Sequence, residues 1–227
     1  MQIGILGSGM VGRAIAGKLS ELGYDVVIGS RDVAALMART ESDGMGNPPF
    51  GSWLQNHPAV RVGDFREAAA QGEILFNCTN GRGALDALAQ AGEAHLNNKL
   101  LIDISNPLDF SQGMPPSLFV SNNDSLGEQI QRAYPKAKVV KTLNTVNAYL
   151  MVEPTLLAAG DHTMFVSGDD VEAKAQVVNI LREWFGWQDI IDLGDITTAR
   201  GSEMLLPIWA RLWAALGTPM FSLKVVR

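Results

Sequence analysis

Cysteine is almost missing: Cys78 is the only one in 227 residues, so no disulfide can close within the chain and no metal site can be built from thiolates. Histidine is nearly as scarce. His57, His95 and His162 stand apart with no second ligand at helical or finger spacing, and no metal site is expected. No run approaches the ~20 apolar residues that cross a bilayer, so membrane partners are not expected. No Walker loop and no G-x-S-x-G elbow occurs. Lys and Arg total 18 against 24 Asp and Glu, a net charge of -6, and they form no cluster of the kind that neutralises phosphates. Nucleic acid is therefore excluded as a partner. The start, Met-Gln-Ile-Gly-Ile-Leu followed by Gly7, looks like a strand entering a turn rather than a basic leader, and a cytoplasmic location is the expectation.

What is present is a globular composition, 47% hydrophobic and 19% charged, with a strong alternation of elements. Short, nearly unbroken apolar runs lie at 3–6, 26–29, 74–77, 100–103, 139–141 and 164–167, with a further candidate at 189–193. Helical spacing fills most of the gaps, as in Ala14, Ile15, Leu19 and Leu22. Strands buried on both faces have this look, and the pattern predicts an α/β fold: a Rossmann-type, doubly wound, mostly parallel sheet with a small C-terminal α/β extension. The expected division is a dinucleotide-binding domain over 1–150 and a smaller unit over 151–227. Residues 40–58 carry Gly44, Gly46, Pro48, Pro49 and Gly51 and are expected to be a loop, either a flap over a ligand or an insertion. Residues 106–123 are irregular too. Helices are expected at 171–184 and 198–216, the second kinked or divided by Pro207. On it Trp209 and Trp213 share a face with Leu205, Leu212 and Leu216, which reads as core or dimer packing and leaves a homodimer open.

The chemistry begins at Gly7-Ser8-Gly9-Met10-Val11-Gly12, between a predicted strand and a predicted helix. In that setting Gly7 permits the tight turn, Gly9 lets backbone approach a pyrophosphate, and Gly12 lets the helix pack closely on the strand. The diphosphate then meets the free N–H groups of the helix N-terminus. At the end of the second strand, where NAD sites carry a carboxylate for the ribose, the chain reads Gly29-Ser30-Arg31. A hydroxyl and a guanidinium there favour a 2′-phosphate, so NADP is the expected cofactor, with Asp32 as ribose acceptor the competing reading. Tyr134 and Lys138 have Y-x-x-x-K spacing, but Pro135 between them should end any shared helix. No acid–base constellation stands out, and no catalytic residue is assigned.

On these residues the chain resembles the family of NADP-dependent oxidoreductases that use coenzyme F420, a deazaflavin. The likeness extends over the N-terminal fingerprint, the Gly-Ser-Arg end of strand two, the strand end at 77–80, the 103–108 segment and the run 140–148. The N-terminal module of membrane ferric reductases shares these traits. The resemblance implies that Asn144, Val146 and Ala148 lie near the nicotinamide and its partner ring, and that hydride passes directly between two cofactors. Thr79, Asn80, Asn106 and Pro107, at strand ends, complete the candidate cofactor site. A second substrate, expected over the nicotinamide between Asn80, residues 106–108, residues 144–148 and the C-terminal helix, would be coenzyme F420, a flavin or a ferric chelate. An NADPH-dependent reductase of a small carbonyl or imine, and a non-catalytic NADP sensor, are the competing functions.

Overall fold

The strands are β1 (Gln2–Leu6), β2 (Asp25–Ser30), β3 (Val60–Asp64), β4 (Ile74–Asn77), β5 (Leu100–Asp103), β6 (Leu108–Asp109), β7 (Ser117–Leu118), β8 (Lys138–Thr142), β9 (Thr163–Ser167) and β10 (Asp189–Gly194) in a computed structural model that describes residues 1–43 and 46–227. Eight of them form one sheet in the order β10-β9-β8-β5-β4-β1-β2-β3, and β6 and β7 form a separate hairpin. Every neighbour in the large sheet is parallel except β8 and β9. The order reverses between β1 and β4, and at such a switch point the connections leave to opposite faces and open a crevice at the strand ends.

The helices are α1 (Met10–Glu21), α2 (Val33–Met37), α3 (Phe50–Gln55), α4 (Phe65–Gln71), α5 (Ala84–Ala91), α6 (Glu93–Leu96), α7 (Leu126–Ala133), α8 (Ala148–Val152), α9 (Val171–Ile180), α10 (Ala199–Met204) and α11 (Leu206–Leu216). They cover the sheet on both sides. Ile15 and Leu19 of α1, Phe50, Met151 and Val177 pack with Ile3, Ile5 and Ile28 on one face. Phe65, Leu88, Leu126 and Ile130 pack with Leu6, Val27 and Leu75 on the other. That double cover explains why the strands are unbroken apolar runs rather than alternating ones. The expected Rossmann-type sheet is thus present, and β9 and β10 lengthen it beyond β8.

Three readings of the sequence need correction. Residues 40–58 are not a loop throughout, because Phe50, Trp53 and Leu54 sit at i, i+3 and i+4 and give α3 an apolar face, with Phe50 1% exposed. Gly44 and Met45 in that segment lie outside the described residues. The edge strand β3 went unforeseen because it alternates Val60, Arg61, Val62 rather than running apolar. The irregular 106–123 stretch contains the β6–β7 hairpin. Two other expectations hold: α10 and α11 part at Leu205 with Pro207 in the first turn of α11, and α7 ends before Tyr134 while Lys138 opens β8.

Candidate functional site

A cavity of about 730 Å³ opens at the switch point, walled by the β1–α1 turn, the end of β2, the β4–α5 connection and residues 38–43 and 48–50. Drug-sized and cofactor ligands occupy spaces of ≈ 300–1,000 Å³. Gly7, Ser8 and Gly9 form its floor. Gly7 has φ +120° and its N–H donates to the Gly29 carbonyl at 3.0 Å, which locks the turn against the end of β2. A Cβ on Gly12 would stand 1.9 Å from the Gly7 carbonyl oxygen, so this glycine is demanded by packing. Gly9 is different. Its φ of -76° and ψ of -170° suit any residue, and nothing lies within 4 Å of where its Cβ would be. Neither backbone nor neighbours require glycine there, and the space in front of it is open.

The start of α1 opens onto the same space. Asp32, Asp64, Ser125, Asn147 and Asp170 cap α2, α4, α7, α8 and α9 by accepting a backbone N–H. The N-cap of α1 is Gly9, with no side-chain cap, a state it shares with α3, α5, α6, α10 and α11. The first turn of α1 holds no acidic residue, and Arg13 follows immediately. A cation at a helix N-terminus opposes the macrodipole, and an anion held between them relieves both. Arg13 is steered there by hydrogen bonds from Nε to the Ser8 carbonyl at 3.1 Å and from Nη1 to the Pro48 carbonyl at 2.5 Å, and its guanidinium lies 5.3 Å from the Phe50 ring centre.

Ser30, Arg31 and Arg39 line the end of the cavity beside β2. Arg31 is exposed and reaches toward Gly83 across the mouth. Asp32 is occupied: its Oδ1 accepts from the Ala35 N–H at 2.8 Å and caps α2. Two carboxylates, Glu41 and Asp43, stand on the rim. Asp43 is engaged by Asn47, whose backbone and side-chain nitrogens donate to it at 2.9–3.1 Å.

Thr79 and Asn80 form the opposite wall together with Cys78, whose thiol is pushed up by burial and by Asp103 nearby. Of the residues proposed from sequence, the cavity brings together Gly7, Ser8, Gly9, Ser30, Arg31, Thr79 and Asn80. Met10 borders instead a second hollow of about 310 Å³ outside α1, and Val11 and Gly12 pack inward. Asn106, Pro107, Asn144, Val146 and Ala148 do not border the larger cavity. Asn106 and Asn144 brace each other, with Asn106 Nδ2 donating to the Asn144 carbonyl at 2.9 Å and Asn144 Nδ2 to Asn106 Oδ1 at 3.0 Å. This pair sits behind Asn80, since the Asn106 carbonyl abuts Gly81. The Pro107 carbonyl accepts from Phe119 N–H. Val146 and Ala148 are buried.

Behind that wall lies a group that sequence reading missed. Lys141 Nζ is 2.8 Å from Asp103 and 2.9 Å from Glu203, with all three side chains 0–2% exposed. Burial alone would lower the Lys141 pKa, but Asp103 and Glu203 outweigh it and hold it above the usual range. Glu203 also accepts the Leu126 and Gly127 N–H groups at the start of α7. The signal was available: Asp103 and Lys141 are lone charges in apolar strand runs, and they are register partners across β5 and β8. Arg13 and Arg39 were likewise missed.

A structure from Arthrobacter sp. FB24, described provisionally as an F420-dependent NADP-reductase, is similar to this chain with 56% identity and a TM-score of 0.95, covering 99% of each chain. The model of the family "NADP oxidoreductase coenzyme F420-dependent" matches residues 2–107. The chain belongs to this F420-dependent NADP oxidoreductase family. Among curated proteins the family likeness extends to Metalloreductase STEAP3 of Rattus norvegicus, 28% identical over 214 residues, or 92% of this chain. The chain spans 38% of that relative's length. A reductive aminase from Aspergillus terreus shares the fold, with a TM-score of 0.63 at 16% identity over 94% of this chain and 62% of its own. Among the described residues no helix is long and apolar enough to cross a membrane, and no three His, Cys, Asp or Glu side chains group as a metal cluster.

Proposed function

We propose that this chain passes hydride between NADP(H) and a ring-shaped acceptor, coenzyme F420 or a flavin, with a ferric chelate as a further electron sink. The observation that carries the reading is the uncapped start of α1 opening onto free space at Gly9, with Ser30 and Arg31 where a carboxylate would exclude a 2′-phosphate. The residues fit the dinucleotide: Gly7 to Gly9 would cradle the pyrophosphate, Ser30, Arg31 and Arg39 the 2′-phosphate, and Thr79 and Asn80 the nicotinamide half. The bound dinucleotide supplies the hydride. The chain's task is to hold the rings and keep out water, and Cys78, Thr79 and Asn80 bring no proton donor suited to neutral pH on that wall. A ferric ion takes single electrons, so a ring that accepts hydride and releases electrons singly would have to stand between it and NADPH. Residues 1–150 would hold the dinucleotide, with 151–227 as the smaller unit, and we place the protein in the cytoplasm.

The test is NADPH carrying deuterium on one face of C4, with a deazaflavin as acceptor because its reduced C5 keeps the label. Deuterium from one face, and not the other, should appear in the reduced acceptor. Tight NADPH binding with no turnover on deazaflavin, flavin or ferric chelate would favour the sensor, and turnover only on small carbonyls or imines would favour the reductase alternative.

We further propose a homodimer built on α11, where Ile208 and Leu216 are 49% and 57% exposed beside Met204. An exposed apolar patch of this kind marks an association surface. Light scattering should give twice the 24.4 kDa chain mass for the native protein and the chain mass for Ile208→Asp; a native monomer would rule the dimer out.

A further inference from the structure

The Thr79 hydroxyl is set by a relay of hydrogen bonds that starts in the buried ion group. Asp103 is fully buried and its two oxygens receive only donors: Lys141 Nζ at 2.8 Å on Oδ2, and Asn77 Nδ2 at 2.8 Å, Ser105 Oγ at 2.7 Å and Ser105 N–H at 3.2 Å on Oδ1. Lys141 Nζ and the Ser105 N–H can only donate, so each Asp103 oxygen is held as an acceptor. That fixes the Asn77 amide. Were it turned over, its carbonyl oxygen would face the Asp103 carboxylate, so Nδ2 points to Asp103 and Oδ1 points to Thr79. Asn77 Oδ1 lies 2.6 Å from Thr79 Oγ1, and an amide oxygen cannot donate. The Thr79 proton is therefore committed inward.

We infer that Thr79 presents only lone pairs to the cavity and is a specificity-determining residue that requires a hydrogen-bond donor on the ligand. A phosphate oxygen is rejected at this position, because two acceptors would meet without a proton between them. A ribose hydroxyl or the carboxamide NH₂ of the nicotinamide half satisfies it. The Ser30 and Arg31 end of the same cavity offers donors, so the two ends are polarised oppositely, and a dinucleotide inserted end for end would lose at both. The inference rests on the placement of NADP in this cavity, and goes beyond it by giving the direction of one proton.

Calorimetry with NADP⁺ and with 2′,5′-ADP, which lacks the nicotinamide half, tests it on three proteins. Thr79→Val should weaken NADP⁺ about two- to tenfold, the worth of one ordinary hydrogen bond, and leave 2′,5′-ADP unchanged. Thr79→Ser should bind both ligands as the native protein does. The analogue with 3-acetylpyridine in place of nicotinamide tells the two donors apart: a penalty in Thr79→Val that persists identifies the ribose hydroxyl, and one that vanishes identifies the carboxamide. Unchanged NADP⁺ affinity in Thr79→Val, equal loss of both ligands, or a loss in Thr79→Ser as large as in Thr79→Val would overturn the inference. A native protein that binds neither nucleotide would instead overturn the placement of NADP, and the inference with it.

Discussion

Gly9→Val should lose NADP(H) affinity by at least about a hundredfold while unfolding at nearly the native temperature. The loss corresponds to ~3 kcal/mol or more, the scale of the charge-assisted hydrogen bonds that a displaced pyrophosphate would forfeit. The fold should tolerate the change because Gly9 already has extended dihedrals and its Cβ would meet no protein atom within 4 Å. Valine is a poorer N-cap than glycine, which should cost about 1 kcal/mol and lower the unfolding temperature by only about 2–4 °C. Gly12→Ala supplies the contrast. Its Cβ would fall 1.9 Å from the Gly7 carbonyl oxygen, so α1 must shift off β1, and overpacking of this kind costs about 1–3 kcal/mol or more. Calorimetry and thermal unfolding on both variants separate the two roles. Native affinity in Gly9→Val would mean that the pyrophosphate lies elsewhere.

Arg31→Ala should weaken NADP(H) by about ten- to a hundredfold, the ~1.5–3 kcal/mol of a hydrogen bond to a charged group, and leave NAD(H) nearly unchanged. The selectivity is expected because the only carboxylate adjoining Arg31 in sequence, Asp32, spends its Oδ1 capping α2. Arg31 lines the cavity mouth, where a 2′-phosphate can be met bidentately. Titrating both cofactors against native and variant protein checks this. Native preference for NAD, or equal loss of both cofactors in the variant, would return the ribose to Asp32 and the arginine to solvent.

The N-terminal half of the fold was legible because its signals are local. A turn that needs Gly7 and Gly12, and strands buried on both faces, leave marks within a few residues of each other. Residues 40–58 misled because Pro48, Pro49 and Gly51 are loop residues by propensity, while Phe50 and Trp53 are drawn into a helix by the core they fill, a tertiary gain that outweighs local preference. Arg13 was readable from the dipole argument but hidden by the glycine pattern around it. The Lys141, Asp103 and Glu203 group joins residues far apart in sequence, and only the sheet register makes them neighbours. The strand-end asparagines show the limit of residue type as a guide. Asn80 lines the cavity, whereas Asn106 and Asn144 satisfy each other and Asn147 caps α8.

The structure of the chain in complex with NADP⁺ bears most directly on the assignment of the cavity. The pyrophosphate should lie over Gly9 at the start of α1, the 2′-phosphate should pair with Ser30 and Arg31, and the nicotinamide half should pass Thr79 and Asn80. A dinucleotide bound outside this cavity, or one whose adenosine end lies at Thr79, would contradict it.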